Sequence, residues 1–506
     1  MKNKFILVAA LAIGFAGCEP EFENEVNAAY TSGEADFTRY VAVGNSLTAG
    51  YMDGTVCRVG QSYSYPNLLA QQFALVGGGA FTQPSYAEDI NNLGGFAGVP
   101  GSTRLVIDAA QGRPEPIAGT STITLTPQAQ AYNNMGVPGA KSFHLGFAGY
   151  GALNPYFARH ATTPTATVLG DAMTKNPTFF TNWIGSNDVL AYATSGGAQA
   201  DGVTPASDHN ATGNLNPATY GMNDITNSTV FTGVYTNIIN SLTANGAKGL
   251  VCTIPSVTSI PYFTSVPYNP LPAEATSSNA TAIGLYQFLA AVSGGRISTL
   301  NTAAGTKNPV LIRDESLIDI GSTISAAAAG TPFAPYASAL GALYGKARHA
   351  TSNDLIVLPA SSIIGQVNTA GTAPFNVNGV TLPLANKWVL TATEKANVAA
   401  ATAAYNTSIV AIAATKNLAV ADMNAIMNKL VTGLQVAGNS IYTANYFSGS
   451  GTEGQILFSL DGVHPNARGY AVIANEIIKV INSKFKSNLP LHNPTYFPGI
   501  SILPTN

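Results

Sequence analysis

The stretch Arg39-Tyr-Val-Ala-Val-Gly-Asn-Ser-Leu-Thr-Ala-Gly-Tyr51 decides how this chain is read. Tyr40, Val41, Ala42 and Val43 form a short apolar run that stops at Gly44, the pattern of a buried strand running into a turn. The turn presents Ser46 just past the carboxyl end of a first strand, where open α/β sheets hold their ligands. That place suits a nucleophile. An ordinary turn serine has the same local composition, because Gly, Asn and Ser populate turns for backbone reasons.

Other segments bear on the choice. Near the far end lies Ser459-Leu-Asp-Gly-Val-His-Pro-Asn-Ala-Arg-Gly-Tyr470, followed by an amphipathic run from Ala471 to Phe485. Asp461 and His464 are three residues apart in a turn closed by Pro465, so one compact loop can deliver a base and its orienting carboxylate together. Between the ends come Asn134-Met-Gly-Val-Pro-Gly139 and Trp183-Ile-Gly-Ser-Asn-Asp188, each an apolar run ending in a Gly/Asn turn. Taken as a set, in this order, the four segments resemble the four blocks of the GDSL, or SGNH, family of serine hydrolases.

A serine hydroxyl is a poor nucleophile until a base accepts its proton, so Ser46 needs His464 within hydrogen-bond reach, and His464 needs its other ring nitrogen held by Asp461. The resemblance implies an oxyanion hole made of the Ser46 N–H, the Gly139 N–H and the Asn187 side-chain amide. Asp188 is expected to support the turn rather than to react. One departure from the family pattern is visible. The first block reads Gly44-Asn45-Ser46-Leu47, with Asn where the family name has Asp; an acceptor oxygen is kept and a charge beside Ser46 is lost.

The chain opens on Met-Lys-Asn-Lys, an apolar run from Phe5 to Phe15, and Ala16-Gly17-Cys18. Two lysines, a short apolar core and small residues make a secretory signal over 1–18, too short to span a bilayer. Its end looks like a bacterial lipobox, which implies lipidation of Cys18 and anchoring by acyl chains. The acidic segment Glu19-Pro-Glu-Phe-Glu-Asn-Glu25 lies in a tether over 19–36 that holds too little apolar surface to fold. Its acidity resembles signals that send some Bacteroidetes-type lipoproteins to the outer membrane surface. The expected location is the cell envelope, lipid-anchored at the outer membrane.

Charged residues make up only 10% of the 506, and the net charge is −3. No basic footprint points to nucleic acid. After processing, Cys57 and Cys252 remain; Cys252 sits in the apolar run Gly249-Leu-Val-Cys-Thr-Ile254, where a cysteine is more often core than bridged. No Cys/His or HExxH spacing points to a metal, and no Walker-type loop to a nucleotide, so no cofactor is expected.

Strands and helices alternate. Expected helices run from Ser62 to Phe73, Asp224 to Ala247, Glu394 to Lys416 and Asn466 to Phe485. Expected strands are Ala131 to Val137, Phe179 to Ile184, Gly249 to Ile254 and Leu418 to Asp422. Such alternation predicts a three-layer α/β/α sandwich on a parallel sheet, which the resemblance makes flavodoxin-like. The hydrolase domain is placed at 37–487 and a tail at 488–506. Two Gly-, Pro-, Ser- and Thr-rich insertions, 52–130 and 256–392, exceed ordinary α/β connections. Elements at Ala282 to Val292, Ala337 to Tyr344 and Leu355 to Pro359 would let the second act as a cap or as plain surface elaboration.

Of the other histidines, only His209 has a carboxylate beside it, Asp208, and adjacent side chains diverge, so a solvated loop is expected there. The resulting expectation is a carboxylic ester hydrolase of lipase or lysophospholipase type, working through an acyl-enzyme on Ser46. A carbohydrate acetylesterase, or a catalytically silent glycan-binding surface lipoprotein, are the alternatives.

Overall fold

Five short strands, Tyr40–Gly44 (β1), Asn134–Gly136 (β2), Phe179–Trp183 (β3), Lys248–Cys252 (β4) and Ala419–Ala421 (β5), form one sheet in the order β2-β1-β3-β4-β5. Every pairing is parallel. This is a computed structural model, and it describes residues 29–84, 86–108, 113–274, 280–432, 434–436, 440–442, 456–500 and 502–503. Cys18 and the acidic run 19–25 lie outside the described residues.

Strand periodicity explains the layers. Side chains alternate across a pleat, and here each set meets its own helices. Tyr40, Ala42, Phe179, Trp183, Leu250 and Cys252 pack against the helices Tyr65–Ala74 and Ala467–Phe485. Val41, Val43, Phe180 and Val251 pack against Asn187–Thr194, Ser228–Thr243 and Ala392–Thr415. With both faces covered, the strands are mostly apolar, the exceptions being Asn134, Thr181, Asn182 and Lys248. In chain order we call Ser46–Ala49 α1, Tyr65–Ala74 α2, Asn187–Thr194 α3, Ser228–Thr243 α4, Ala392–Thr415 α5 and Ala467–Phe485 α6.

The helix α5 is long and apolar enough to cross a membrane by length and composition. It packs Val398, Tyr405 and Ile409 into the sheet-facing core instead. A capping box starts it: the Thr391 hydroxyl accepts from the Glu394 N–H, and Glu394 accepts from the Thr391 N–H at 2.8 Å. Cys57 and Cys252 are both buried and free.

Several expected boundaries move. The helix expected from Ser62 breaks into Arg58–Ser62 and α2, because Pro66 lacks an N–H and is tolerated only in a first turn. Helix α4 begins at Ser228, four residues late, where Asn227 caps it by accepting from the Thr229 N–H at 2.8 Å. The strand expected to reach Asp422 stops at Ala421, since Asp422 accepts from the Ala425 N–H at 3.0 Å and caps the helix Met423–Thr432.

Within 256–392, the helices Ala280–Val292, Gly321–Ala328 and Ala337–Tyr344 share a separate small core around Leu285, Tyr286, Leu289 and Leu340. Half-buried Arg348 fastens this part to the sheet domain. Its guanidinium donates to Asp314 at 2.7 Å and to Asp354 at 2.6 and 2.7 Å, and Asp354 accepts from the Ala392 N–H at the start of α5. At the other end of the chain, Ile502–Leu503 pairs with Leu105–Asp108 of the first insertion, so the tail returns to the body.

The strand order reverses direction between β1 and β3, which opens a crevice at their carboxyl ends. Register makes those ends level: Gly44 lies opposite both Gly136 and Trp183. Ser46, Gly139 and Asn187 follow these residues within a few positions, so three loops leave the sheet side by side.

Candidate active site

Helix α1 starts on Ser46 directly over the strand ends. Added Cβ atoms would come within 2.1 Å of the Thr48 hydroxyl at Gly44 and 2.3 Å of the Ala49 nitrogen at Gly136. Only glycine lets α1 lie this close to the sheet. Asn45, itself buried, caps α1 by accepting from the Leu47 N–H at 3.1 Å. That is the turn bond an Asp in the same place would make, and it needs no charge.

From the far end of the chain, Asn466 caps α6 and Pro465 closes the preceding loop, which turns His464 back toward Ser46. The His464 Nε2 lies 2.8 Å from the Ser46 Oγ, and its Nδ1 lies 2.9 Å from the Asp461 Oδ2. A carboxylate only accepts, so Nδ1 carries the proton and Nε2 accepts from the Ser46 hydroxyl. Asp461 is fixed by further donors. Its Oδ1 accepts from the N–H groups of Val463 and His464, each at 2.8 Å, and from the Ser459 hydroxyl at 3.1 Å; its Oδ2 also accepts from the Gly54 N–H at 3.1 Å. Burial alone would raise this carboxyl. The neighbouring His464 and these N–H donors win, and it is held below the ordinary carboxylate range.

The Ser46 and Gly139 N–H groups have no hydrogen-bond partner among the described residues. The first is an open helix N-terminus. Gly139 takes φ +79°, a left-handed conformation natural to glycine, and an added Cβ would meet nothing closer than 3.8 Å. The Asn187 amide donates to the Ala140 carbonyl at 2.9 Å, which holds its side chain against the Gly139 loop. Buried Asp188 accepts from the Ser142 N–H at 2.8 Å and the Ser142 hydroxyl at 2.7 Å, and so ties this loop to α3. The sequence-derived set Ser46, Asp461 and His464 is joined by direct hydrogen bonds, with Gly139 and Asn187 across the crevice.

Sequence reasoning missed the support behind the acid loop. The Asp53 N–H donates to the Ser459 hydroxyl at 2.9 Å, and the Asp53 carboxyl accepts from the Leu460 N–H at 3.0 Å. Tyr51 packs on the His464 ring, centroids 4.5 Å apart, and its carbonyl accepts from the Tyr470 hydroxyl at 2.6 Å. Asp-Gly at 53–54 is a turn signal, but nothing local links it to residues 459–461.

Burial, with Asp461 nearby, pushes the Asp53 carboxyl up to about 6 despite its bond from Leu460. A raised folded value means that the native state keeps this proton to higher pH than the unfolded chain. Its stabilisation is complete below the unfolded value of 3.8 and fades as pH rises through about 6. Asp53→Asn keeps an acceptor for Leu460 and removes the buried charge. Its stability relative to wild type should therefore improve by about 3 kcal/mol between pH 4 and pH 8, read from denaturant melts. Parallel pH dependence in the two proteins would contradict this.

The solvated loop expected at Asp208 and His209 is corrected. Asp208 caps the turn at 209–212 by accepting from the Asn210 N–H, while His209 is buried. Its Nε2 lies 2.9 Å from Asp224, and its ring stacks on Tyr220 at 3.8 Å. Neighbouring side chains diverge, and the loop that follows brings Asp224 back instead. Among the described residues no group of three His, Cys, Asp or Glu side chains is placed to hold a metal ion.

No protein-family model matches the chain, and no match emerges among curated proteins or solved structures.

Proposed function

We propose that the chain is a serine hydrolase acting on carboxylic esters through an acyl-enzyme on Ser46. Within that class we assign it to the GDSL/SGNH type. The assignment is supported by the ordered quartet of segments and by the strand order 2-1-3-4-5, the flavodoxin-like order of doubly wound sheets. The observation that carries the reading is the unbroken chain of hydrogen bonds from the Asp461 carboxylate through His464 to the Ser46 hydroxyl, at 2.9 and 2.8 Å.

In the first half-reaction Ser46 Oγ attacks the ester carbonyl carbon while Nε2 takes its proton. The carbonyl oxygen becomes an oxyanion held by the Ser46 and Gly139 N–H groups and the Asn187 amide. His464 then gives the proton to the leaving alkoxide oxygen. A water molecule, deprotonated by His464, attacks the acyl-enzyme and releases the carboxylic acid and Ser46.

Purified protein lacking residues 1–18 should hydrolyse p-nitrophenyl acetate, releasing one acid per nitrophenolate. No hydrolysis, with retained glycan binding, would favour the silent binder. Asn187→Ala should lower kcat by roughly 100- to 1,000-fold and change KM much less, because the amide serves charge that develops in the transition state. A change confined to KM would remove Asn187 from the oxyanion hole.

The leader and Cys18 extend the proposal to a lipid-anchored envelope protein. Cys18→Ala should move the protein from the membrane to the soluble fraction; unchanged membrane retention would contradict the anchor.

A further inference from the structure

A cavity of about 780 Å³ opens beside the crevice, walled by the segment 139–153, by α3 and by the loop 216–223. From its position and lining we propose that it binds the acyl chain of the ester, so that the substrates are esters of medium or long unbranched fatty acids. This inference rests on the hydrolase reading above.

Position gives the first argument. Gly139 and Asn187 line the cavity, whereas Ser46 and His464 do not; they line a smaller cavity of about 50 Å³ that shares Asn187 with it. The carbonyl oxygen must lie at the Gly139 and Asn187 donors, and the leaving oxygen must face His464 Nε2 to receive its proton. Of the two cavities that meet at Asn187, only the larger has the volume to take a long acyl chain as the remaining substituent on the carbonyl carbon.

The lining gives the second. Phe143, Phe147, Leu153, Ala191, Val234 and Tyr262 supply an apolar surface, and the volume falls in the usual range for small-molecule sites. Among the lining residues, Lys141 alone carries a fixed charge, and its ammonium is turned away, donating to the Asp224 carbonyl at 2.7 Å. His144 is held neutral at pH 7, since burial and nearby Lys141 bring it down to about 4. Of the polar lining residues, Thr194, Ser195 and Asn223 donate to the carbonyls of Leu190, Tyr192 and Ala198 and Asn216 accepts from the Ala218 N–H, which leaves less for a sugar, and with Lys141 turned away a phosphate meets no free cation among them. At the mouth, Phe147, Leu153 and Met222 are 46%, 70% and 83% exposed, an apolar rim suited to a chain arriving from a lipid phase.

The walls are also built to stay open. Asp224 anchors the loop 216–223 by accepting from the Gly221 N–H at 2.6 Å, the Gln199 amide at 2.7 Å and the Ser207 N–H at 2.8 Å, and by its contact with His209. Lys141 fastens the opposite wall to the same residue. The buried His209 and Asp224 thus serve the shape of the cavity.

The test is a p-nitrophenyl ester series from acetate to decanoate, with octanoic acid binding to Ser46→Ala measured in parallel by calorimetry. Each buried methylene is worth about fourfold, so with its six extra methylenes buried octanoate should exceed acetate in kcat/KM by roughly 4,000-fold. Gly146→Trp fills the cavity, and an added Cβ there meets nothing within 4 Å. Phe147→Asp places a charge at the exposed mouth. Each should lower the octanoate-to-acetate ratio at least tenfold, and each should weaken octanoic acid binding to Ser46→Ala at least tenfold. Ser46-dependent turnover with no preference for longer chains, or a ratio that neither variant moves, would overturn the acyl site and leave the hydrolase standing. No turnover on any ester, with octanoic acid still binding in a Gly146- and Phe147-sensitive way, would end the hydrolase reading and keep the cavity as an apolar-chain site. Absence of such binding would end the proposal.

Discussion

Ser46→Ala should leave a folded protein whose kcat for p-nitrophenyl acetate is lower by about 10⁶-fold, the size of loss seen when the nucleophile of a relay is removed. Two facts set the expectation. The Ser46 hydroxyl is the atom aligned with His464 Nε2 at 2.8 Å. Its loss takes away little that supports the fold, because α1 is capped by Asn45 through its own side chain and held over the sheet by Gly44 and Gly136. Alanine is also a favourable helix residue. The melting temperature should change little, and a large fall in stability with activity to match would point to a structural serine instead.

Asp461→Asn should cost about 10⁴-fold in kcat. If the new amide oxygen replaces Oδ1 and keeps the bonds from Val463 and His464, the amide nitrogen faces His464 Nδ1 and the Gly54 N–H, where donors then oppose donors. The imidazole can relieve this only by moving its proton to Nε2, which can no longer accept from Ser46. Stability carries a second signature. The folded Asp461 value lies below the unfolded 3.8, so its stabilisation is present above that value and is lost as pH falls through the depressed one. Wild type should lose this contribution on acidification below pH 4, whereas Asp461→Asn should lack it. A variant with near-normal kcat would remove Asp461 from the relay.

Why these residues were legible in sequence, and others not, follows from the range of the forces involved. Ser46 stands out because a buried strand ends at Gly44, and His464 with Asp461 because a Pro-closed turn packs both into four positions. Local pattern writes such features into a short window. The sheet was legible for the same reason, since strands covered on both faces are mostly apolar. Strand and helix ends were less so: Pro66, Asn227 and Asp422 shift them through single capping or missing hydrogen bonds. The support behind Asp461 was not legible, because Asp53 and Ser459 are joined only by the fold. His209, expected in a solvated loop, is buried instead, because its partner Asp224 lies fifteen residues on and is brought back only by the fold. The two loop walls of the large cavity carry no periodic pattern, and its existence depends on Lys141 and Asp224 meeting between them.

The central claim is that Ser46 is a nucleophile activated by His464, and covalent trapping tests it most directly. Incubated with a fluorophosphonate and digested, the protein should carry one phosphonyl adduct on the peptide containing Ser46, and labelling should fall sharply in His464→Ala. An adduct on another residue, or none on Ser46 in protein that still hydrolyses esters, would contradict the account.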